Sequence, residues 1–419
     1  MSFLTLLLYL FCTFIRPQEW IEPFIDKPLV EILSISTIIL LIFERLSRGY
    51  IELVRVPQNR LMLGLFFSIL MSHIVHTYFE GLTLAFNAFL IPFVLYFIIL
   101  NGVNTELKFK IAIWLIVAMI FVLVPQGMYQ LQNGNGWGGQ PLTYDPHREE
   151  YRINWIGIFN DPNDLALLFV VAVGIVIAFL FGPAGWLLKL LSIPTLGYLC
   201  YGIYLTNSRG GMLALMATVF FYFIRRTKKF IFGGVVGGLC AFALLAAGPS
   251  RVGLISVEEE SAYNRLDLWY EGFLMLKHNP LFGVGYGMFT DKLPQTAHNS
   301  FILAAAELGL IGLFFWMALI YSSFKCLSLV QANDGRLKTY ALGLQSGLIG
   351  FCMAAFFLSR TYVILPYLLF AFSGSLFYIA QCRNKEMVFN FSREDTKKTI
   401  WLCVVVLLFA FILIKVGLK

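Results

Sequence analysis

The chain has 419 residues, 59% of them hydrophobic and only 13% charged, with a mean hydropathy of +0.77. A soluble chain carries about 25% charged residues, so this composition excludes an ordinary soluble protein and predicts an all-α polytopic membrane protein. The formal net charge of +7 lies in short clusters between apolar runs, which makes it a topology signal rather than a nucleic-acid patch.

With a window of about 20 apolar residues per crossing, spans are expected near 3–15, 28–43, 61–77, 81–100, 109–125, 163–182, 187–205, 211–224, 230–248, 299–324, 339–358, 362–381 and 400–417. That is a single integral-membrane domain over 1–419 with about 12–13 transmembrane helices. The first run is short, with no basic leader and no small-residue cleavage site, and is expected to be a retained helix rather than a cleaved signal. The seven cysteines (12, 200, 240, 326, 352, 382, 403) show no CxxC spacing, so neither a zinc site nor a disulfide framework is expected. No internal repeat is visible.

An N-terminus placed in the cytoplasm puts Glu44–Arg60, Asn101–Lys110, the turn before Lys189, Arg225–Lys229, Lys325–Lys338 and Cys382–Lys398 inside. These collect nearly every basic cluster, as the positive-inside rule requires. The opposite face receives 16–27, 78–80, 126–162, 206–210, 249–298 and 359–361. Two of these exceed simple turns: the outward loop 126–162, and the larger loop 249–298. In the second, Ser261–His278 has Tyr263, Leu266, Tyr270 and Phe273 at helical spacing and is expected to form an amphipathic helix on, or dipping into, the interface.

Basic residues on the outward face run against the topology rule and call for a local reason. Arg152, Arg209, Arg265 and Arg360 are the notable ones, with His147 and His298 beside them and Arg148 and Arg251 in the same loops. A solvated loop charge accounts for any one of them; the set, beside glycine-rich turns, points to an anion site. Thr206-Asn207-Ser208-Arg209-Gly210-Gly211 is a tight turn with good N-cap residues, after which a helix runs inward with its positive end outward. Asn160-Asp161-Pro162-Asn163-Asp164 repeats the design, with Asp161 a natural N-cap and Pro162 at the first helical position. Ala297-His298-Asn299-Ser300 repeats it again. Any membrane helix needs a cap, which is the competing reading for the aspartate motif; for Arg209 and His298 a functional reading is favoured. The loop Asn279–Gly287 is glycine-rich but no dinucleotide fingerprint, since no strand precedes it. Glu258-Glu259-Glu260 is read as a solvated face, with no supporting His for a metal.

Arg265 with Trp269, Asn279-Pro280, Gly283-Val284-Gly285 and His298-Asn299 followed by Glu307-Leu308-Gly309-Leu310-Ile311-Gly312 resemble the signature region of the O-antigen ligase and O-antigen polymerase superfamily. Asn160–Asn163 and Ser208-Arg209-Gly210 resemble its two upstream motifs, in the same order; the likeness spans roughly residues 150–315. The resemblance implies a GT-C-like glycosyltransferase of the bacterial inner membrane that works on the periplasmic face without a metal or other cofactor. Its donor would be an undecaprenyl-diphosphate-linked glycan. Its acceptor would be lipid A–core in a ligase of lipopolysaccharide biosynthesis, a growing glycan in a polymerase, or a protein hydroxyl. Arg209 and Arg265 would bind the donor diphosphate and His298 would act on the acceptor hydroxyl. Arg152, Arg360, Asp161, Asn163 and Asn299, with Asp164, form a second tier lining the cavity; Glu307 is assigned no catalysis. The ligase reading is preferred on the signature region.

The chemistry agrees. A departing diphosphate needs fixed positive charge in a water-poor site, arginine stays charged and grips phosphate oxygens in pairs, and neutral histidine accepts a proton near neutral pH. A transporter of an anionic lipid-linked substrate is the rival, since it too needs arginines and helix ends. It predicts charges near the midplane and pseudo-symmetric halves, which this sequence lacks.

Overall fold

The computed structural model describes residues 1–47, 49, 52–145, 149–229, 231, 234 and 255–417, with the backbone alone over 255–263. The span expected near 230–248, apart from Ile231 and Gly234, lies outside the described residues, as do His147, Arg148 and Arg251. The other expected spans coincide with helices: α1 (Ser2–Ile15), α2 (Leu29–Leu46), α3 (Pro57–Ile74), α4 (Phe79–Gly102), α5 (Glu106–Ala118) continuing across Met119 into α6 (Ile120–Asn133), α7 (Pro162–Phe181), α8 (Trp186–Leu205) and α9 (Arg209–Thr227). After α10 (Ile255–His278) and the short α11 (Phe289–Lys292) come α12 (Ser300–Asn333), α13 (Lys338–Ala355), α14 (Ile364–Arg383) and α15 (Arg393–Gly417). Helices prevail because backbone polar groups in lipid must bond within their own segment.

Among the described residues, 7 helical segments are long and apolar enough to cross a membrane: α4, the joined α5–α6, α7, α8, α12, α14 and α15. The remaining helices of similar length carry charge at their ends, as Glu44 and Arg45 on α2 and Arg225 and Arg226 on α9, or polar groups on buried faces. Gln58, Ser68, Ser72 and His73 of α3 and Gln345 and Ser346 of α13 are all buried. Polar side chains turned into the bundle lower the hydropathy of a helix without exposing it to lipid. The protein is an all-α polytopic membrane protein.

One departure from helix lies in the 126–162 segment. There α6 runs on to Asn133, and a short antiparallel hairpin follows, β1 (Thr143–Asp145) with β2 (Glu150–Arg152), Tyr144 opposite Tyr151. Three-residue strands carry too little alternation to be read from sequence.

The connecting segments gather at two ends. At one end Trp20 meets Trp155, Tyr78 meets His73, whose Nε2 lies 3.1 Å from the Tyr286 carbonyl, Asn207 bonds Tyr151, and Arg360 reaches Asp161. At the other, Arg45 bonds Asn101, and Arg383 pairs with Glu106 and Asp334. Between them α7 is buried along nearly its whole length, with α8, α9 and α13 around it. Gly174 of α7 lies against the backbone of Gly343 and Gly347 of α13, the small-residue contact that lets membrane helices approach closely.

The helix expected near 261–278 begins earlier, at Ile255. Leu268, Trp269, Gly272 and Met275 are buried, whereas Tyr270 is 45% exposed. Two neighbours cover the helix: α10 packs on α12, and it runs antiparallel beside α15, with Leu266 near Gly417 and Phe273 against Phe411. The glycine-rich loop that follows clasps α12 where that helix breaks. Gly309 adopts φ 67°, ψ −168°, a region open essentially to glycine alone. The break diverts two amides, so Leu310 N donates to Pro280 O at 2.8 Å and Ile311 N to Leu281 O at 3.3 Å. The freed carbonyls of Ala306 and Glu307 accept from Val284 N (2.9 Å) and Gly285 N (3.0 Å). These two amides and two carbonyls thereby keep partners across the kink, as a membrane interior demands.

A Cβ on Gly309 would lie 2.4 Å from the Leu281 carbonyl, on top of a backbone cost of about 1–3 kcal/mol. Gly309→Ala is expected to lower the melting temperature in detergent by several degrees or to abolish the monodisperse peak in gel filtration. Gly185→Ala, which meets nothing within 4 Å, should match the parent protein in both measurements.

Candidate functional site

Three helices start side by side at the end of the bundle that holds Arg209, Arg265 and His298, and each start is capped by its own sequence. Asp161 accepts from Asn163 N at 2.8 Å to open α7, with Pro162 in the first turn. Ser208 Oγ accepts from Gly211 N at 3.0 Å to open α9. Asn299 Oδ1 accepts from Phe301 N (2.9 Å) and Ile302 N (3.1 Å) to open α12. Capping satisfies only some of the free amides of a first turn, and the summed peptide dipoles leave each N-terminus partially positive.

Polar side chains brace the three starts against one another. Asn163 Oδ1 accepts from Ser208 Oγ at 2.7 Å and from Arg152 Nη2 at 2.9 Å, while Arg152 Nε donates to Thr206 O at 3.0 Å. Asn163 therefore joins α7 to α9 and to the β-hairpin. Arg360, in the link between α13 and α14, forms ion pairs with Asp161 through Nη2 and with Asp164 through Nε. Its backbone N–H donates to Ser300 Oγ at 2.7 Å, which ties α12 into the same assembly.

Arg265 reaches this place through Trp269, one turn further along α10. Trp269 Nε1 donates to Ala297 O at 2.8 Å, and its ring packs edge-on against Phe356 at 5.4 Å. Ala297 precedes His298, so the residue that docks α10 also fixes the chain entering the histidine. His298 is half-buried with φ 49°, a left-handed conformation that a non-glycine residue keeps only when its surroundings impose it.

The electrostatics record the crowding of positive charge. Burial lowers the pKa of Arg265, and the nearby Arg209 charge lowers it further. Burial, then Arg265 and Arg360, push His298 below its ordinary value, with Asp161 opposing them. The imidazole is thereby held neutral near pH 7 and able to accept a proton. Arg152 is lowered by burial against the pull of Asp161, Asp145 and Glu150. Arg360 goes the other way: burial disfavours its charge, but Asp164 and Asp161 outweigh burial and raise its pKa.

Arg209, Arg265, His298, Asn299, Arg152, Asp161, Asn163 and Arg360 thus share one neighbourhood. Glu307 stands apart from His298: its Oε1 accepts from Phe289 N at 3.2 Å, and the paired rings of Tyr286 and Tyr362 lie beside it. The sequence reading did not find Thr296, Ser300 and the 358–361 link as partners of the His298 segment. Among the described residues no group of three or more His, Cys, Asp or Glu side chains is arranged to hold a metal ion.

Residues 194–317 match the family model described as O-antigen ligase. This match supports the O-antigen ligase superfamily. An activity of the O-antigen ligase or polymerase type, a membrane glycosyltransferase, is what it supports in general. The matched segment runs from within α8 into α12 and includes Arg209, Arg265, His298 and Asn299; Arg152, Asp161, Asn163 and Arg360 lie outside it. A comparison with curated proteins finds no match.

Because Asn163 serves both Ser208 and Arg152, Asn163→Ala leaves partly buried donors without their acceptor. A loss of about 1–3 kcal/mol is expected, read as a lowered melting temperature, whereas Ala in place of the exposed Asn133 should change it little.

Proposed function

We propose that the chain is a metal-independent glycosyltransferase that moves a glycan from undecaprenyl diphosphate to an acceptor hydroxyl at the periplasmic face of the bacterial inner membrane. We read it as an O-antigen ligase whose acceptor is lipid A–core. The observation that carries this reading is the meeting of Arg209, Arg265 and His298 at three capped helix N-termini. Arg209 and Arg265 bind the donor diphosphate, and the partial charges of the helix starts add to theirs. The acceptor oxygen attacks the anomeric carbon, and a carbon–oxygen bond forms as the bond to the diphosphate breaks. The electron pair leaves on the diphosphate, where the two guanidiniums take up the developing charge. His298, neutral at the working pH, takes the acceptor's proton. Asn299 lines the same place through the cap of α12.

Two features weigh against a transporter. The conspicuous charges lie at one end of the bundle instead of its middle, and a histidine held neutral among cations serves proton transfer more directly than lipid movement.

Purified protein incubated with a polyprenyl-diphosphate glycan and lipid A–core is expected to form the linked product and release polyprenyl diphosphate. His298→Ala should cut turnover by about 10²–10⁴, and Arg209→Ala and Arg265→Ala by at least as much. Lysine at either arginine should restore a part, since it keeps the charge but loses paired phosphate contacts. Full turnover in all three alanine variants, or lipid movement in vesicles with no polyprenyl diphosphate released, would refute the reading.

A further inference from the structure

Arg360 differs from the other cations of the site in what surrounds it. Its Nη2 meets Asp161, its Nε meets Asp164, and its Nη1 donates to the Ser359 carbonyl at 3.2 Å. Two carboxylates and a backbone carbonyl thus surround the guanidinium, and the side chain is 14% exposed. A phosphate approaching Arg360 would face those carboxylates. The charge felt by Arg265, by contrast, is that of another cation.

The link that carries Arg360 grips the chain on both sides of His298. Before the histidine, Thr296 Oγ1 donates to Ser359 Oγ at 2.9 Å. After it, Ser300 Oγ donates to Leu358 O at 2.6 Å and accepts from Arg360 N at 2.7 Å, and Thr361 Oγ1 donates to Ser300 O at 2.9 Å. His298 sits between these attachments in its left-handed conformation. The ion pairs with Asp161 and Asp164 then fasten the link to the start of α7.

We propose that Arg360 is a positioning residue: clasped by Asp161 and Asp164, it locks the 358–361 link onto α7 and so holds His298 in place, and it does not bind the donor diphosphate. This rests on His298 acting as the base in the proposed transfer.

The test is the pH profile of kcat/KM together with the donor KM. Among the described residues, the charged groups facing His298 are Arg265 from α10, Arg360 from the link and Asp161 from the start of α7. Below its own pKa His298 holds a proton and cannot accept one, so kcat/KM falls on the acidic side. Removing the Arg360 cation raises that pKa, and Arg360→Gln should move the acidic limb to higher pH. Removing the Asp161 anion lowers it, and Asp161→Asn should move the limb to lower pH; asparagine caps a helix as well as aspartate does, so α7 keeps its start. Arg360→Gln should also lower kcat by about 10²-fold, the scale of a small misplacement of a reacting group, with the donor KM unchanged and partial rescue in Arg360→Lys. If Arg360→Gln does not fold, Asp161→Asn still reads the limb. Limbs that stay in place in both variants, or a donor KM that rises in Arg360→Gln as it does in Arg265→Gln, overturn the inference. Transfer that survives in His298→Ala defeats the proposed function itself, so the two failures are told apart.

Discussion

Positive charge kept away from bulk water is the constraint around which this end of the molecule is arranged. Arg209, Arg265, Arg152 and Arg360 and the starts of α7, α9 and α12 all lie within one neighbourhood. Left alone they would repel one another, and burial would add to the cost. The protein meets this with two kinds of partner. Arg152 is directed to the neutral acceptors Asn163 and Thr206, and Arg360 is neutralised by Asp161 and Asp164. Arg265 lies close enough to Arg209 for that charge to add to burial in lowering its pKa.

The scaffold explains how so many polar groups hold their places. The Gly309 break lets the 280–285 loop bond to the backbone of α12, which fixes the C-terminal side of α10. Trp269 fixes α10 to Ala297. The link 358–361 fixes both flanks of His298. Each attachment is local, yet each joins segments distant in sequence, so the site exists only in the assembled bundle.

Much of this was legible in the sequence because lipid imposes simple rules. Apolar runs mark helices, and twelve expected spans coincide with described helices. Cap chemistry at Asp161, Ser208 and Asn299 marks helix starts, and arginines off the basic face mark the site. Long-range pairing was not legible. Arg360 and Asp161 are 199 residues apart, and nothing local in either says that they meet. The glycines of the clasp were visible, but not that Gly309 breaks α12 so that the 280–285 loop can bond to it. That α12 and α15 both pack on α10 was not legible either, because helical spacing within one segment does not name its neighbours.

The central claim is that Arg209 and Arg265 together grip a lipid-linked diphosphate. Its most direct test is equilibrium binding of a short-chain prenyl diphosphate to detergent-purified protein, free of any glycan or acceptor. The account predicts saturable binding that weakens with added salt, persists in His298→Ala and is lost in the Arg209→Gln/Arg265→Gln double variant. Unchanged affinity in that double variant would contradict it.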